Sequence, residues 1–200
     1  MGTTTRERII EAGSALFRRQ GYAGTGMKAI AAAANAPFGS IYHFFPGGKD
    51  ELSAAVIRAA GKFYAALVPM LFDGEPDVAI ATRNSFRGAA QTLRDGDYAD
   101  ACPIAAVALE VASTNEPLRL VTAEVFADWV AALAARYEGA GIAAPLARRL
   151  ATSVISMLEG AFILARASRD ARAVEDAGEI MFAAVRGALN DLANKEEPCA

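Results

Sequence analysis

Along this chain apolar residues recur at the three- and four-residue spacings of a helix, with no alternating strand pattern of useful length. The first such stretch carries Ile9, Ile10, Gly13, Leu16 and Phe17, behind Thr4 and Glu7 at capping-box spacing. Gly21 stops that helix, and Tyr22 can fold back onto it. A second, short helix is predicted from about Met27 to Ala34, with Met27, Ile30, Ala31 and Ala34 on one face and Thr25 ahead of it as a cap. Asn35-Ala36-Pro37 follows, where asparagine tolerates the left-handed conformation of a tight turn and proline suits the start of a helix. The third helix, from Pro37 to about Phe44, is too short to be stable alone and must pack on the first two.

From Gly48 onward the helical pattern is interrupted at Gly74-Glu75-Pro76, Asp95-Gly96-Asp97, Asn115-Glu116-Pro117, Gly139 to Gly141 and Ser168 to Ala171. These breaks predict an all-α chain of about nine helices, divided into a three-helix head over residues 1–48 and a larger helical body over 49–200.

Composition sharpens this picture at three points. Hydrophobic residues make up 54% of the 200 positions and the mean hydropathy is +0.22, a surplus that calls for a buried oligomer interface, an apolar pocket, or both. Residues 29–48 carry no charge, but Pro37, Pro46 and the glycines break any single apolar helix there, and TTTRERIIE interrupts a secretory leader, so no membrane association is expected. Cys102 and Cys199 stand far apart without metal-ligand spacing, which suits a reduced, cytoplasmic protein. The formal charge of −3 hides an asymmetry: residues 1–50 sum to +3 and the remainder to −6, so a small basic head sits on an acidic body. That distribution suits a head that grips a polyanion.

Two short helices joined by a tight turn form a helix-turn-helix layout. On the third helix Ile41 and Phe45 are four apart and point to the core, while Phe38 and Tyr42 share another face with Gly39, Ser40 and His43 beside them. A glycine there lets the backbone come close to a phosphate or base edge. The serine and tyrosine hydroxyls can donate to phosphate oxygens, and an aromatic ring can lie on a sugar or a thymine methyl. Gly47-Gly48-Lys49 opens the fourth helix, whose N–H groups and lysine suit one further phosphate. His43, the only histidine, lacks the Asp, Cys or second His that catalysis or metal binding needs. GGKDEL lacks the spaced glycines and the Ser/Thr of a nucleotide-binding P-loop. No catalytic constellation and no cofactor site emerges.

The segments GYAGTGMKAIAAAANA and PFGSIYHFFPGGKDEL resemble helices two and three and the start of helix four in the DNA-binding domain of the tetracycline-repressor (TetR) family. Together with Ala101-Cys102-Pro103-Ile104-Ala105 they are similar to its LmrA/YxaF-like branch. The resemblance implies a homodimer that binds a palindromic operator on double-stranded DNA and releases it when a small molecule enters each subunit. It also implies that Thr25, Ser40, Tyr42, His43 and Lys49 contact phosphates, with Gly39 and Ser40 where the helix enters the major groove. Lys28 and Phe38 complete the expected DNA-facing set. Phe38 departs from the branch, which usually has a lysine there; Asn35 replaces a common glycine.

In the body, two long helices, about Ala144 to Ala167 and Ala173 to Asn194, carry Leu150, Val154, Ile155, Leu158 and Phe162, then Val174, Ile180, Met181, Val185, Leu189 and Leu192. Such stripes suit a four-helix dimer interface, although an intramolecular core claims part of each. The middle helices offer an effector lining in Phe63, Leu67, Phe86, Cys102, Val107, Phe126 and Trp129, with Phe162 from the later helix. Glu110 and Glu159 interrupt apolar runs, so each is paired, exposed at an edge, or aimed at a polar ligand group. The leading expectation is a repressor released by a small apolar or aromatic effector. The competing one is a helical small-molecule-binding or interaction protein without specific DNA binding, and it turns on Phe38.

Overall fold

The computed structural model describes residues 2–196, with side chains described as far as Asp191. Cys199 and the side chain of Leu192 fall outside the described part. Among the described residues the regular structure is nine helices: α1 (Thr5–Gln20), α2 (Met27–Ala33), α3 (Phe38–Phe44), α4 (Gly48–Phe72), α5 (Val78–Asp95), α6 (Pro103–Val111), α7 (Glu116–Gly139), α8 (Ala144–Ser168) and α9 (Arg172–Glu196). Each expected break marks a junction between two of them, with Asp95, Glu116, Pro117, Gly139 and Ser168 inside the adjoining helix ends. Two compact units result: residues up to Tyr64 with Asp100–Phe126, and Ala65–Ala99 with the chain from Ala127 onward.

The first unit is built on α1. Its capping box is complete: Thr4 Oγ1 accepts the Glu7 N–H at 3.2 Å and the Glu7 carboxylate accepts the Thr4 N–H at 2.7 Å. Ile9, Gly13 and Phe17, four apart, form its buried face. Gly13 is needed for close packing, since a Cβ there would lie 2.8 Å from Val56 Cγ2. At its end Gly21 takes φ 72 and ψ −176, a conformation open essentially to glycine alone. Helices α1, α2 and α3 pack on one another through Ile9, Phe17, Ile30, Ile41 and Phe45, all essentially inaccessible. Asn35 has φ 47, the left-handed turn its side chain tolerates. Helix α6 lies against α1 in this unit.

The second unit is a helical core in which α9 packs against both α5 and α8. Alanine and branched aliphatic residues dominate it, around Phe72, Phe86 and Tyr137. A Cβ at Gly178 would come 2.7 Å from Phe86 Cβ, so the α5–α9 approach depends on that glycine. Tyr137 and Thr82 share the one hydroxyl pair recorded in this core, at 2.8 Å. Thr82 already donates to the Val78 carbonyl at 2.7 Å, so Tyr137 is the donor. Burial pushes the Tyr137 phenol up. Asp77 caps α5, accepting the Ala79 and Ile80 N–H groups at 3.0 and 3.2 Å while Arg186 donates to its other oxygen at 2.5 Å.

An intramolecular core claims part of each stripe of the last two helices. Leu150, Val154, Val174, Met181 and Val185 of the proposed interface stripes are buried in this core. Among the described residues of these helices, Ile163, Leu164 and Ile180 are exposed at 57%, 63% and 61%, and Ile155, Leu158, Phe162 and Leu189 are half-buried. The stripes were sound as helix faces, but the side turned inward was decided by which neighbours each helix meets.

Candidate nucleic-acid interface

Helix α3 turns two faces in opposite directions. Ile41 and Phe45 anchor it, while Phe38 and Tyr42 stand 41% and 49% exposed with their rings edge to face, 5.5 Å apart at 81°. Gly39 lies on the open side, where a Cβ would meet nothing within 4 Å. No internal packing requires a glycine there, and the space belongs to whatever approaches from outside. His43 is exposed, its ring edge-on to Phe44 at 4.9 Å, and Lys28 is exposed on α2. Ser40 is half-buried in the first turn, its N–H donating to the Pro37 carbonyl at 2.9 Å. Six of the expected DNA-facing residues, Lys28, Phe38, Gly39, Ser40, Tyr42 and His43, thus lie on α2 and α3 with accessible surface.

Thr25 and Lys49 have other work. Thr25 is fully buried; its hydroxyl donates to the Gly21 carbonyl at 2.6 Å and accepts from Gln20 at 3.3 Å. It does not cap α2, whose N-cap is Gly26 without a side-chain bond. Lys49 Nζ donates to the Tyr22 carbonyl at 2.7 Å and sits 4.0 Å over the Tyr22 ring. Burial lowers its pKa below the usual lysine value, opposed by the charges of Glu110 and Asp50. The Gly47 N–H of the same turn is taken by the Glu51 carboxylate at 2.7 Å. The Gly47-Gly48-Lys49 turn, expected to meet a phosphate, is tied internally in this structure.

Glu110 is held in the same way. Its two carboxylate oxygens accept the Tyr22 and Ala23 N–H groups at 2.9 and 2.6 Å, fastening α6 to the turn that leads into α2. Of the three expected roles, paired, at an edge, or facing a ligand, the structure shows the first, as a latch on the backbone of the head. Around it Tyr22 Oη donates to Asp50 at 2.7 Å, and Asn115 Nδ2 donates to the other Asp50 oxygen at 2.9 Å. Partial burial, followed by the Asp50 bond, raises the Tyr22 phenol to about 12. Sequence reasoning missed Asp50 and Asn115 in this cluster. Its one local sign was a charged residue closing the uncharged run ACPIAAVAL, and that sign does not name a partner 88 positions away.

The remaining effector-lining residues divide between the units. Phe63, Cys102, Val107 and Phe126 belong to the first, and Leu67, Phe86, Trp129, Glu159 and Phe162 to the second. Phe86 is wholly inaccessible and packed under Gly178, a core residue rather than a free wall. Val107 and Trp129 are buried, Phe63 is 62% exposed, and Leu67, Phe126, Glu159 and Phe162 are half-buried. Cys102 is the N-cap of α6, its Sγ accepting the Ala105 N–H at 3.5 Å. An open groove of about 420 Å³ in the first unit is lined by Asp50, Glu51, Arg58, Leu118, Leu120 and Glu124 among others, and by none of the expected effector residues. Among the described residues no group of three or more His, Cys, Asp or Glu could hold a metal ion.

A compact three-helix head with an exposed second helix of a helix-turn-helix, followed by an all-helical body, defines a DNA-binding regulator. Comparison with known proteins gives the family. Residues 9–56 match the model for bacterial regulatory proteins of the tetR family, and residues 79–180 match the C-terminal domain of LmrA/YxaF-like transcriptional regulators. The chain is 34% identical to the regulator YxaF of Bacillus subtilis over 83% of its own length and 87% of the relative's. It is 26% identical to LmrA of the same organism, over 83% and 88%. Among solved structures, a TetR regulator from Legionella pneumophila superposes with a TM-score of 0.80 at 24% identity, covering 90% of this chain and 96% of that one. A regulatory protein TetR from Rhodobacter sphaeroides gives 0.81 at 21%, covering 91% and 99%. The chain belongs to the TetR family of transcriptional regulators, in its LmrA/YxaF-like branch.

Proposed function

We propose that this regulator is a repressor that binds a palindromic operator as a homodimer and leaves it when a small apolar or aromatic molecule enters the body. The observation that carries the dimer, and with it the palindrome, is the outer surface of α8 and α9. Ile163, Leu164 and Ile180 lie exposed among Gly160, Ala183, Ala184 and Gly187, all on the outside. Large exposed aliphatics interleaved with small residues form a surface that two helices from a second copy can approach closely. Helix α8 contains an 18-residue window of mean hydropathy 1.4, a composition that a membrane span also has. In this reading its surface meets a second subunit, and the protein is cytoplasmic, with neither membrane partner nor catalytic role. Residues 1–48 read DNA, and 49–200 bind effector and form the dimer. A relative from Mycobacterium sp., DhaR, 24% identical over 96% of this chain, is named a transcriptional repressor, which supports the sign of regulation.

The test is sedimentation of the parent and of Ile180→Glu, paired with selection of duplexes from a random library. A dimer that selects inverted half-sites, and a monomeric variant that loses them, is the expected result. A monomeric parent, or a dimer that selects single sites, would sink the proposal. Calorimetry of an aromatic compound with and without the selected duplex tests release, since any weakening must be reciprocal.

A further inference from the structure

The exposed face of α3 carries a residue whose chemistry does not suit the phosphate backbone. Phe38 opens the helix with its ring 41% exposed and set edge to face with Tyr42. The core beneath is closed by Ile41 and Phe45 and does not need it. Beside it the backbone at Gly39 is bare, so a partner surface can come close to the helix there. A phenyl group neither donates nor accepts a hydrogen bond, so it reads neither phosphate oxygens nor the polar edges of guanine, cytosine or adenine. In the major groove the base feature that matches it is the C5-methyl group of thymine. The edge-to-face contact with Tyr42 holds the ring ready, which limits the ordering cost when a methyl group packs on it.

We propose that Phe38 is a specificity-determining residue that reads the C5-methyl of a thymine in the bound DNA site. A lysine at this position would add affinity for any sequence; the phenyl ring exchanges that contact for a base preference. The inference rests on α3 being the helix that enters the major groove.

The test begins with a duplex selected from a random library by the full-length parent. Each thymine is then replaced singly by uracil, which removes one methyl and nothing else. The expected result is at least one thymine at which uracil weakens the parent about fourfold, the value of one buried methyl. In Phe38→Ala that loss disappears, whereas Phe38→Leu, which keeps an apolar contact and covers any folding defect of the alanine variant, retains part of it. Replacing the same T·A pair by C·G weakens binding, and 5-methylcytosine recovers about the same factor over cytosine. Phe38→Lys loses the methyl preference and steepens the slope of log affinity against log salt by about 0.9, one phosphate contact. Indifference to uracil at every thymine, or an equal loss in parent and Phe38→Ala, would overturn the role of Phe38 alone. A folded parent that selects no duplex would overturn the groove reading beneath it.

Discussion

In the unit that contains the head, a carboxylate on α6 reaches back 88 residues to hold two backbone N–H groups after α1. In the other unit, the close approach of α9 to α5 is carbon on carbon, Gly178 against Phe86. The first unit adds Lys49 on the Tyr22 carbonyl, Tyr22 on Asp50 and Asn115 on Asp50, so its turn is fixed by directional bonds. The second has directional ties at its edge, Arg186 on Asp77 and Arg166 on the Tyr98 and Ala99 carbonyls, but its core is packed by shape around Tyr137 on Thr82, with exposed pairs such as Arg87–Glu179 outside it. Exposed pairs of that kind contribute little. A latch of directional bonds sets a backbone position sharply and fails when one atom changes. Apolar packing accepts many side chains of the right volume and yields in proportion to what is removed. The head must present α3 in one geometry, and the turn that leads into its helix-turn-helix is held by directional bonds.

The comparison is most open to attack at its packed side. Tyr137→Ala should cost about 3–5 kcal/mol in denaturant unfolding, while Tyr137→Phe, which keeps the ring, should cost only about 1 kcal/mol. Near-equal losses would show that the hydroxyl, not the volume, organises that core.

Next comes the latch seen from its glycine. Gly21→Ala places a Cβ 2.0 Å from Glu110 Oε1 at φ 72, where strain and displacement of the carboxylate together should cost about 2–4 kcal/mol. A melting temperature equal to the parent's would mean that the turn is free to move.

Glu110→Gln should cost less, about 1–2 kcal/mol, because one acceptor oxygen survives. Its mark is local: the amide resonances of Tyr22 and Ala23 should move far more than those of α9. Uniform small changes would remove the latch from the argument.

The smallest effect is Asp77→Asn, roughly 1 kcal/mol at neutral pH, because the amide can still cap α5 but loses the charge that pairs with Arg186. Burial raises the Asp77 pKa, but the Arg186 bond and the Ile80 and Ala79 N–H groups outweigh it and hold the carboxyl below its usual value. Its contribution is therefore present above the unfolded carboxylate range and lost as pH falls through the lower folded value. The parent and variant should converge in acid. A constant gap across that range would show that the charge is irrelevant to the cap.

The sequence by itself determined what depends on near neighbours. The capping box at Thr4 and Glu7, the stop at Gly21, the left-handed Asn35, and the partition of α3 into an Ile41–Phe45 side and a Phe38–Tyr42 side all involve residues within about one or two helical turns. Dihedral preferences and i, i+4 geometry act at that range, so the all-helical class, the breaks and the helix-turn-helix could be read residue by residue. Only the tertiary structure decided which surfaces meet. Thr25 reads as a cap by position, yet it is buried with its hydroxyl on Gly21. Lys49 reads as a phosphate ligand, yet its ammonium is held by Tyr22. The apolar stripes of α8 and α9 were evident, but not that Leu150, Val154 and Met181 face inward while Ile163, Leu164 and Ile180 face out. Glu110 was conspicuous as a charge beside an apolar run, and its partners lay on another helix's end. A side chain's type limits what it can bond, but the partner is supplied by folding, which brings together residues that have no relation along the chain.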